Sequence, residues 1–223
     1  MSGFRALPLD EVPRQRGAEN SDWLRVRREL DVKAFGVNVY GADAGKRVIE
    51  EHDELGSAAG RHQELYVVLR GHARFELDGK LHDAPLGTCV FIRDPSVRRG
   101  AHATADGTLV LVAGGTPGRA YEVSTWEQAA DAYPHWEAGD YARAVEILRA
   151  VADAHPEAGL VLYNLACAEA LNGEHAAALQ HLAQATALEE RWRKAALEDP
   201  DFAAIRDDPR FGSAVSGQPD AAG

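Results

Sequence analysis

HQELYVVLRGHARFELDGKLHD, residues 62–83, carries the reading of the fold. ELYVVLRG (64–71) and ARFELDGKLHD (73–83) are short apolar runs without helical spacing. Asp78-Gly79, between FEL and KLH, is a strong two-residue hairpin signal. Working outward, VKAFGVNVY (32–40) places Phe35, Val37 and Val39 on one parity, and GADAG (41–45) reads as a turn. RVIEEHDE (47–54), CVFIRDP (89–95) and TLVLVAGG (108–115) are further short runs, punctuated by Gly, Pro and Asp-Gly. Regularly spaced strands with no helical period between them predict an antiparallel sandwich or barrel. The first 20 residues hold three Arg, two Pro and little apolar periodicity, so they read as an arm, either loose or draped over that barrel.

After Tyr121 the texture changes to Ala, Leu and Glu with helical spacing, and a repeat becomes visible. Gly139 and Gly173 stand 34 residues apart. At the same offset Ala132 meets Ala166, Tyr141 meets His175, Ala144 meets Ala178, Val145 meets Leu179 and Leu148 meets Leu182. The pattern is that of a helical hairpin: glycine ends one helix, small residues admit the antiparallel partner, and large ones fill the groove. RKAALEDPDFAAIRDDPRF (193–211) reads as a closing helix whose Phe202 and Phe211 dock onto the last hairpin. The expected organisation is an arm at 1–22, a β domain at 23–122, a helical domain at 123–212 and a disordered tail at 213–223.

Charge divides at the same place. Of a formal net −11, residues 1–122 hold 17 basic and 18 acidic side chains, and residues 123–223 hold 7 and 17. An acidic half of net −10 repels phosphate, which argues against general nucleic-acid binding and attachment to anionic lipid. The N-terminus lacks the apolar core of a signal peptide, and the longest aliphatic stretch, LVLVA (109–113), is far short of a membrane span. Cys89 and Cys167 form no CxxC and read as buried reduced thiols, so the expectation is a soluble, cytoplasmic protein. No nucleotide-binding or nucleophile-elbow motif appears.

Glu64 followed after six residues by Gly71, then Pro85-x-Gly87 leading into a strand and a proline turn, resembles the two motif regions of the cupin superfamily of small jelly-roll barrels. The helical half, through WEAGDYARAVEIL and YNLACAEALNGEHAAAL, resembles the tetratricopeptide repeat family over roughly residues 126–190. Together the resemblances imply an α+β two-domain chain, an antiparallel β jelly-roll (cupin) barrel followed by α-helical hairpin repeats.

Metal-dependent cupins place two His, a Glu and a third His around one divalent ion, and the carry-over here is partial. Glu64 takes the place of the family's Glu. The His-x-His pair expected shortly before it is replaced by SAAG, with His52-Asp53-Glu54 displaced upstream. His62 shares the parity of Glu64. Arg98 stands where the last His is expected, and arginine does not ligate a divalent ion; His102 shares its parity. Three readings stay open. One is a shifted metal set of His52, His62, Glu64 and His102 holding Mn, Fe, Ni or Zn. The second is a metal-free pocket of Glu50, Glu64, Tyr66, Arg98 and His102, in which Arg98 binds an anionic small molecule. The third is a structural network of Glu50, Glu64 and Arg98 that fills the barrel.

The functional expectation is a sensor or regulatory protein: a small molecule in the barrel, and a protein partner with a Lys/Arg-containing segment on the acidic helical module. The competing expectation is a metal-dependent oxygenase or isomerase using His52, His62 and Glu64. Too few repeats to bury a core alone predict that the helical half packs against the barrel or a second subunit, and the resemblance to cupins, which commonly pair, implies a homodimer.

Overall fold

The computed structural model describes residues 4–16, 21–55 and 61–217. The chain forms two compact units, Met1–Glu122 and Val123–Gly223.

The first unit is antiparallel throughout. Its strands are β1 (Arg14–Arg16), β2 (Asp22–Leu24), β3 (Gly36–Ala42), β4 (Arg47–His52), β5 (Gln63–Arg70), β6 (His72–Leu77), β7 (Lys80–Pro85), β8 (Cys89–Ile92), β9 (Arg99–Ala103) and β10 (Thr108–Gly115), with one short helix, α1 (Val26–Leu30). They make a six-stranded sheet in the order β1-β2-β3-β10-β5-β8 and a four-stranded sheet in the order β4-β9-β6-β7. Among the described residues no strand ladder joins the two sheets, so the closed barrel expected from the sequence is corrected to two separate antiparallel sheets.

The hairpin signal works as anticipated: Leu77 pairs with Lys80, and Asp78 and Gly79 both take positive φ (48° and 77°). Alternation then sends Tyr66, Val68 and Val110 of one sheet and Phe75, Ala73 and Ala101 of the other into a shared core. Tyr66 and Phe75 meet edge to face at 5.5 Å.

Two sequence expectations fail here. The boundary at residue 22 runs through β2; of the two arrangements expected for the arm, its described residues take the packed one, with β1 and β2 extending the large sheet and Leu7, Leu9 and Val12 packing with Leu24, Val39 and Leu109. Cys89 is exposed rather than core, because β8 is an edge strand and Cys89 shares its outward parity with Phe91, leaving Val90 and Ile92 to face inward.

The second unit holds α2 (Thr125–Ala129), α3 (Tyr133–Glu137), α4 (Tyr141–Ala154), α5 (Gly159–Leu171), α6 (His175–Leu188), α7 (Arg191–Glu198) and α8 (Phe211–Val215). Gly139 and Gly173 follow α3 and α5 with φ of 74° and 82°, the left-handed conformation that stops a helix at low steric cost only for glycine. Ala132, Ala144, Leu148, Ala166, Ala178 and Leu182 are all fully buried, so the small positions of the 34-residue register lie at helix–helix contacts. α5 is buried on nearly all sides, as a central helix without a polar face must be. Phe202 and Phe211 complete the core. The disordered tail expected from residue 213 is not found over residues 213–217. Ala214 and Val215 are buried in α8, and the Ala214 carbonyl accepts a 2.7 Å hydrogen bond from the buried Thr186 hydroxyl. Residues 218–223 lie outside the described residues. Among the described residues no helix is long and apolar enough to cross a membrane.

Candidate ligand site

Glu64 enters the space between the two sheets from the start of β5, two residues before Tyr66 and on the same face. It is nearly buried and its Oε2 is heavily engaged. The Tyr66 hydroxyl donates to it at 2.7 Å, Arg99 Nε donates at 3.0 Å, and Arg99 Nη2 adds a further short bond. Arg99 comes from the opposite sheet, at the first residue of β9, with a side chain that is 0% exposed. Its remaining nitrogen, Nη1, donates to the carbonyls of Pro95 (3.1 Å) and Val97 (3.0 Å) in the preceding turn. One arginine thereby stitches the proline turn to Glu64.

His52 ends β4, opposite Arg99 in the register. Its Nδ1 lies 2.8 Å from the Glu50 carbonyl, which only accepts, so Nδ1 carries the proton and Nε2 faces the carboxylates. Nε2 stands 3.8 Å from Glu64 Oε2 and 4.0 Å from Glu54 Oε1. Glu54 Oε2 lies 3.7 Å from His62 Nδ1 and accepts from the His62 backbone N–H at 3.4 Å. The His62 ring in turn faces Tyr121, with centroids 5.6 Å apart.

Burial opposes charge at each of these groups, and the partners override it at two. Burial raises the Glu64 pKa, but the facing His52 imidazole and the Arg99 charge and hydrogen bonds bring it down to about 2. Burial lowers the His52 pKa, and the facing Glu64 carboxylate and the hydrogen bond to the Glu50 carbonyl outweigh it, leaving the imidazole above its ordinary value. Tyr66 is pushed well above the usual phenol range, first by burial and then by the Glu64 charge, so it stays a donor.

The structure brings His52, His62, Glu64 and Tyr66 together and leaves out the other expected residues. Arg98 is 60% exposed, with its guanidinium on Glu51 and its backbone N–H on Asp78 Oδ1 at 2.9 Å. The buried arginine is its neighbour Arg99, because alternation turns Arg99, Ala101 and Ala103 inward and the opposite parity outward. His102 falls on that outward parity, is exposed, and stands beside Arg47 and Arg74. Glu50 is exposed as well, and its carbonyl accepts from His52 Nδ1.

Sequence reasoning left Arg99 unassigned and did not place Glu54 in the site. Bulges in β4 explain part of this. Three steps along β4, from Ile49 to His52, match two along β9, from Ala101 to Arg99, and the extra residue turns His52 inward.

Three donor atoms, from His52, Glu54 and Glu64, lie within 4.8 Å of one another and raise the question of a metal. A divalent ion does not fit them as they stand. Glu64 Oε2 already accepts three hydrogen bonds, and the Arg99 guanidinium also lies 4.0 Å from Glu54 Oε1. A dication bound there sits against a buried monocation that the Pro95 and Val97 carbonyls hold in place. The separations of 3.8 and 4.0 Å from His52 Nε2 also exceed the roughly 3.4 Å between ligands bound at about 2.0–2.2 Å to one tetrahedral zinc ion.

Solved structures similar to this chain include cupins. A cupin protein from Bacteroides fragilis shares 18% identity over 56% of this chain and 95% of its own, with a TM-score of 0.41. An RmlC-like cupin from Shewanella frigidimarina shares 15% over 53% and 95%, with a TM-score of 0.39. KdgF from Halomonas sp. shares 20% over 49% and 92%, with a TM-score of 0.40. No protein-family model and no curated protein matches the sequence.

Proposed function

We propose that this chain is a metal-free, cupin-type small-molecule-binding protein whose second unit is a tetratricopeptide-like interaction module, the pair acting as a sensor or regulator. The observation that carries the reading is the buried contact of Arg99 with Glu64. The one carboxylate that the resemblance marks as a metal ligand is committed to a guanidinium instead. His52, Glu54 and His62 remain around it as polar groups 3.7–4.0 Å apart, a spacing that a ligand's hydroxyl or amine bridges better than direct contact does. For the helical unit, the support is the shared left-handed glycine and the equivalent buried alanines at a 34-residue offset. Its net −10 suits a basic partner segment, and a second copy of the chain is the further partner we propose.

Metal content is the test. Protein purified without added metal is expected to carry no stoichiometric Mn, Fe, Ni or Zn, and its melting temperature is expected not to rise with excess ZnCl2 or MnCl2. One ion per chain, lost in Glu64→Gln, overturns the reading in favour of a metal-dependent enzyme.

A further inference from the structure

The inner face of the large sheet shares a core with the small sheet. On its outer face, Leu7, Leu9 and Val12 of the N-terminal arm lie with Val39 of β3 and with Leu109 and Leu111 of β10. β5 and β8, further along the sheet, take no part in that cluster. There Leu65 stands opposite Phe91, and Val67 opposite Cys89. Phe91 is 52% exposed, Leu65 37% and Leu69 39%, and Cys89 is exposed as well. Ala113 and Leu111 continue the same two rows onto β10. Exposed apolar side chains are ordinary when scattered, but these are contiguous. Among the described residues, none of the side chains on the outward parity of β3, β10, β5 or β8 is charged.

β8 also ends the large sheet, and an unpaired edge is ordinarily guarded by charge, proline or a bulge. The other three edges of the two sheets are guarded in that way. β1 carries Arg14 and Arg16, and β7 carries Lys80, Asp83 and Pro85. β4 carries Arg47, Glu50 and Glu51 together with two shifts of register. β8, Cys-Val-Phe-Ile, has none of these devices.

The segments outside the described residues are MSG (1–3), GAEN (17–20), GSAAG (56–60) and QPDAAG (218–223), and they hold no large apolar side chain besides Met1. They are unsuited to cover Phe91 and Leu65. Charge then narrows the occupant. A face without charge gains nothing from a charged partner, whereas two copies of it meet with no like charges opposed. The unit that carries it is close to neutral, with 17 basic and 18 acidic side chains, and the acidic excess belongs to residues 123–223. Self-complementarity of this kind is what a two-fold axis demands of an interface.

We propose that a second copy of this chain seats on the outer face of β5 and β8, the same face of each copy meeting across a two-fold axis, with Leu65 and Phe91 at the contact. This rests on the second-copy partner proposed above and gives it a surface.

Sedimentation velocity of the full chain over a series of micromolar concentrations tests it. The wild type is expected to sediment as a dimer. Leu65→Glu and Phe91→Glu are each expected to weaken the dimer about a hundredfold, because each brings two like charges into an apolar contact. Both positions are exposed in the single chain, so neither change buries a charge within the fold, which circular dichroism checks. Leu81→Glu is the control: Leu81 is 65% exposed on β7, in the other sheet, and its variant is expected to stay dimeric. Alkylation by iodoacetamide gives a second readout, since Cys89 is exposed and Cys167 is buried. Cys89 is expected to react more slowly as the wild-type dimer forms and to stay fast in Phe91→Glu. A wild type that is monomeric throughout overturns the second-copy partner and this surface together. A dimer that both glutamate variants leave intact, with Cys89 reacting as fast in dimer as in monomer, overturns the surface alone. Capture of a monomer by phosphatidylcholine vesicles, lost in Phe91→Glu, assigns the face to lipid and also overturns the proposal.

Discussion

Replacing Arg99 with methionine keeps the length of the side chain and removes its charge and its donors. Glu64 Oε2 loses both guanidinium bonds and keeps the Tyr66 hydroxyl, and the Val97 carbonyl loses the Arg99 donor. Removing one partner of a buried ion pair costs about 3–5 kcal/mol, because the other charge stays desolvated and unpaired. For a cooperative unit of this size that is a fall in melting temperature on the order of 10–20 °C. Pairing the change with Glu64→Leu removes the stranded carboxylate, and the double variant is expected to recover most of the loss, since a matched apolar pair is often as stable as the ion pair it replaces. Urea unfolding followed by circular dichroism measures all three variants, with Arg98→Met as the control. Arg98 is exposed and pairs with Glu51 at the surface, so its variant is expected to melt as the wild type does. A cost below about 1 kcal/mol for Arg99→Met, or a double variant no more stable than Arg99→Met, refutes the view that Arg99 and Glu64 form a coupled buried pair.

Acid stability should report on the same carboxylate. Glu64 titrates at about 2 in the folded chain against an ordinary 4.5, so its contribution is complete above the unfolded value and is lost as pH falls from there toward 2. Urea midpoints measured across that window are expected to fall less steeply in Glu64→Gln than in the wild type, and parallel slopes contradict the assignment. In the helical unit, Gly139→Ala and Gly173→Ala each force a side chain into positive φ where space is otherwise open. Each is expected to cost about 1 kcal/mol, and by similar amounts, since both positions end a helix in the same conformation. Markedly unequal costs in thermal unfolding speak against equivalent repeat positions.

Much of this molecule is written in local pattern. Asp78-Gly79 specifies its hairpin because positive φ at two successive positions is a property of those residues alone. The alternation in ELYVVLRG places Glu64 and Tyr66 on one face for the same local reason. The 34-residue register of glycines and alanines is legible because helix termination and close helix approach depend on residue size.

What resisted reading is what depends on the partner strand. A single step decides whether Arg98 or Arg99 is buried, and a proline turn before the strand hides that parity from the sequence. The bulges that turn His52 inward exist only in the pairing of β4 with β9. Glu54 and Glu64 become neighbours only when two sheets face each other. The strands, the turns and the glycine-ended helices are therefore determined by the sequence through short-range sterics and periodicity. The choice of arginine, and with it the donor or acceptor character of the site, was decided by tertiary pairing, because one residue of register exchanges the inside of a sheet for the outside.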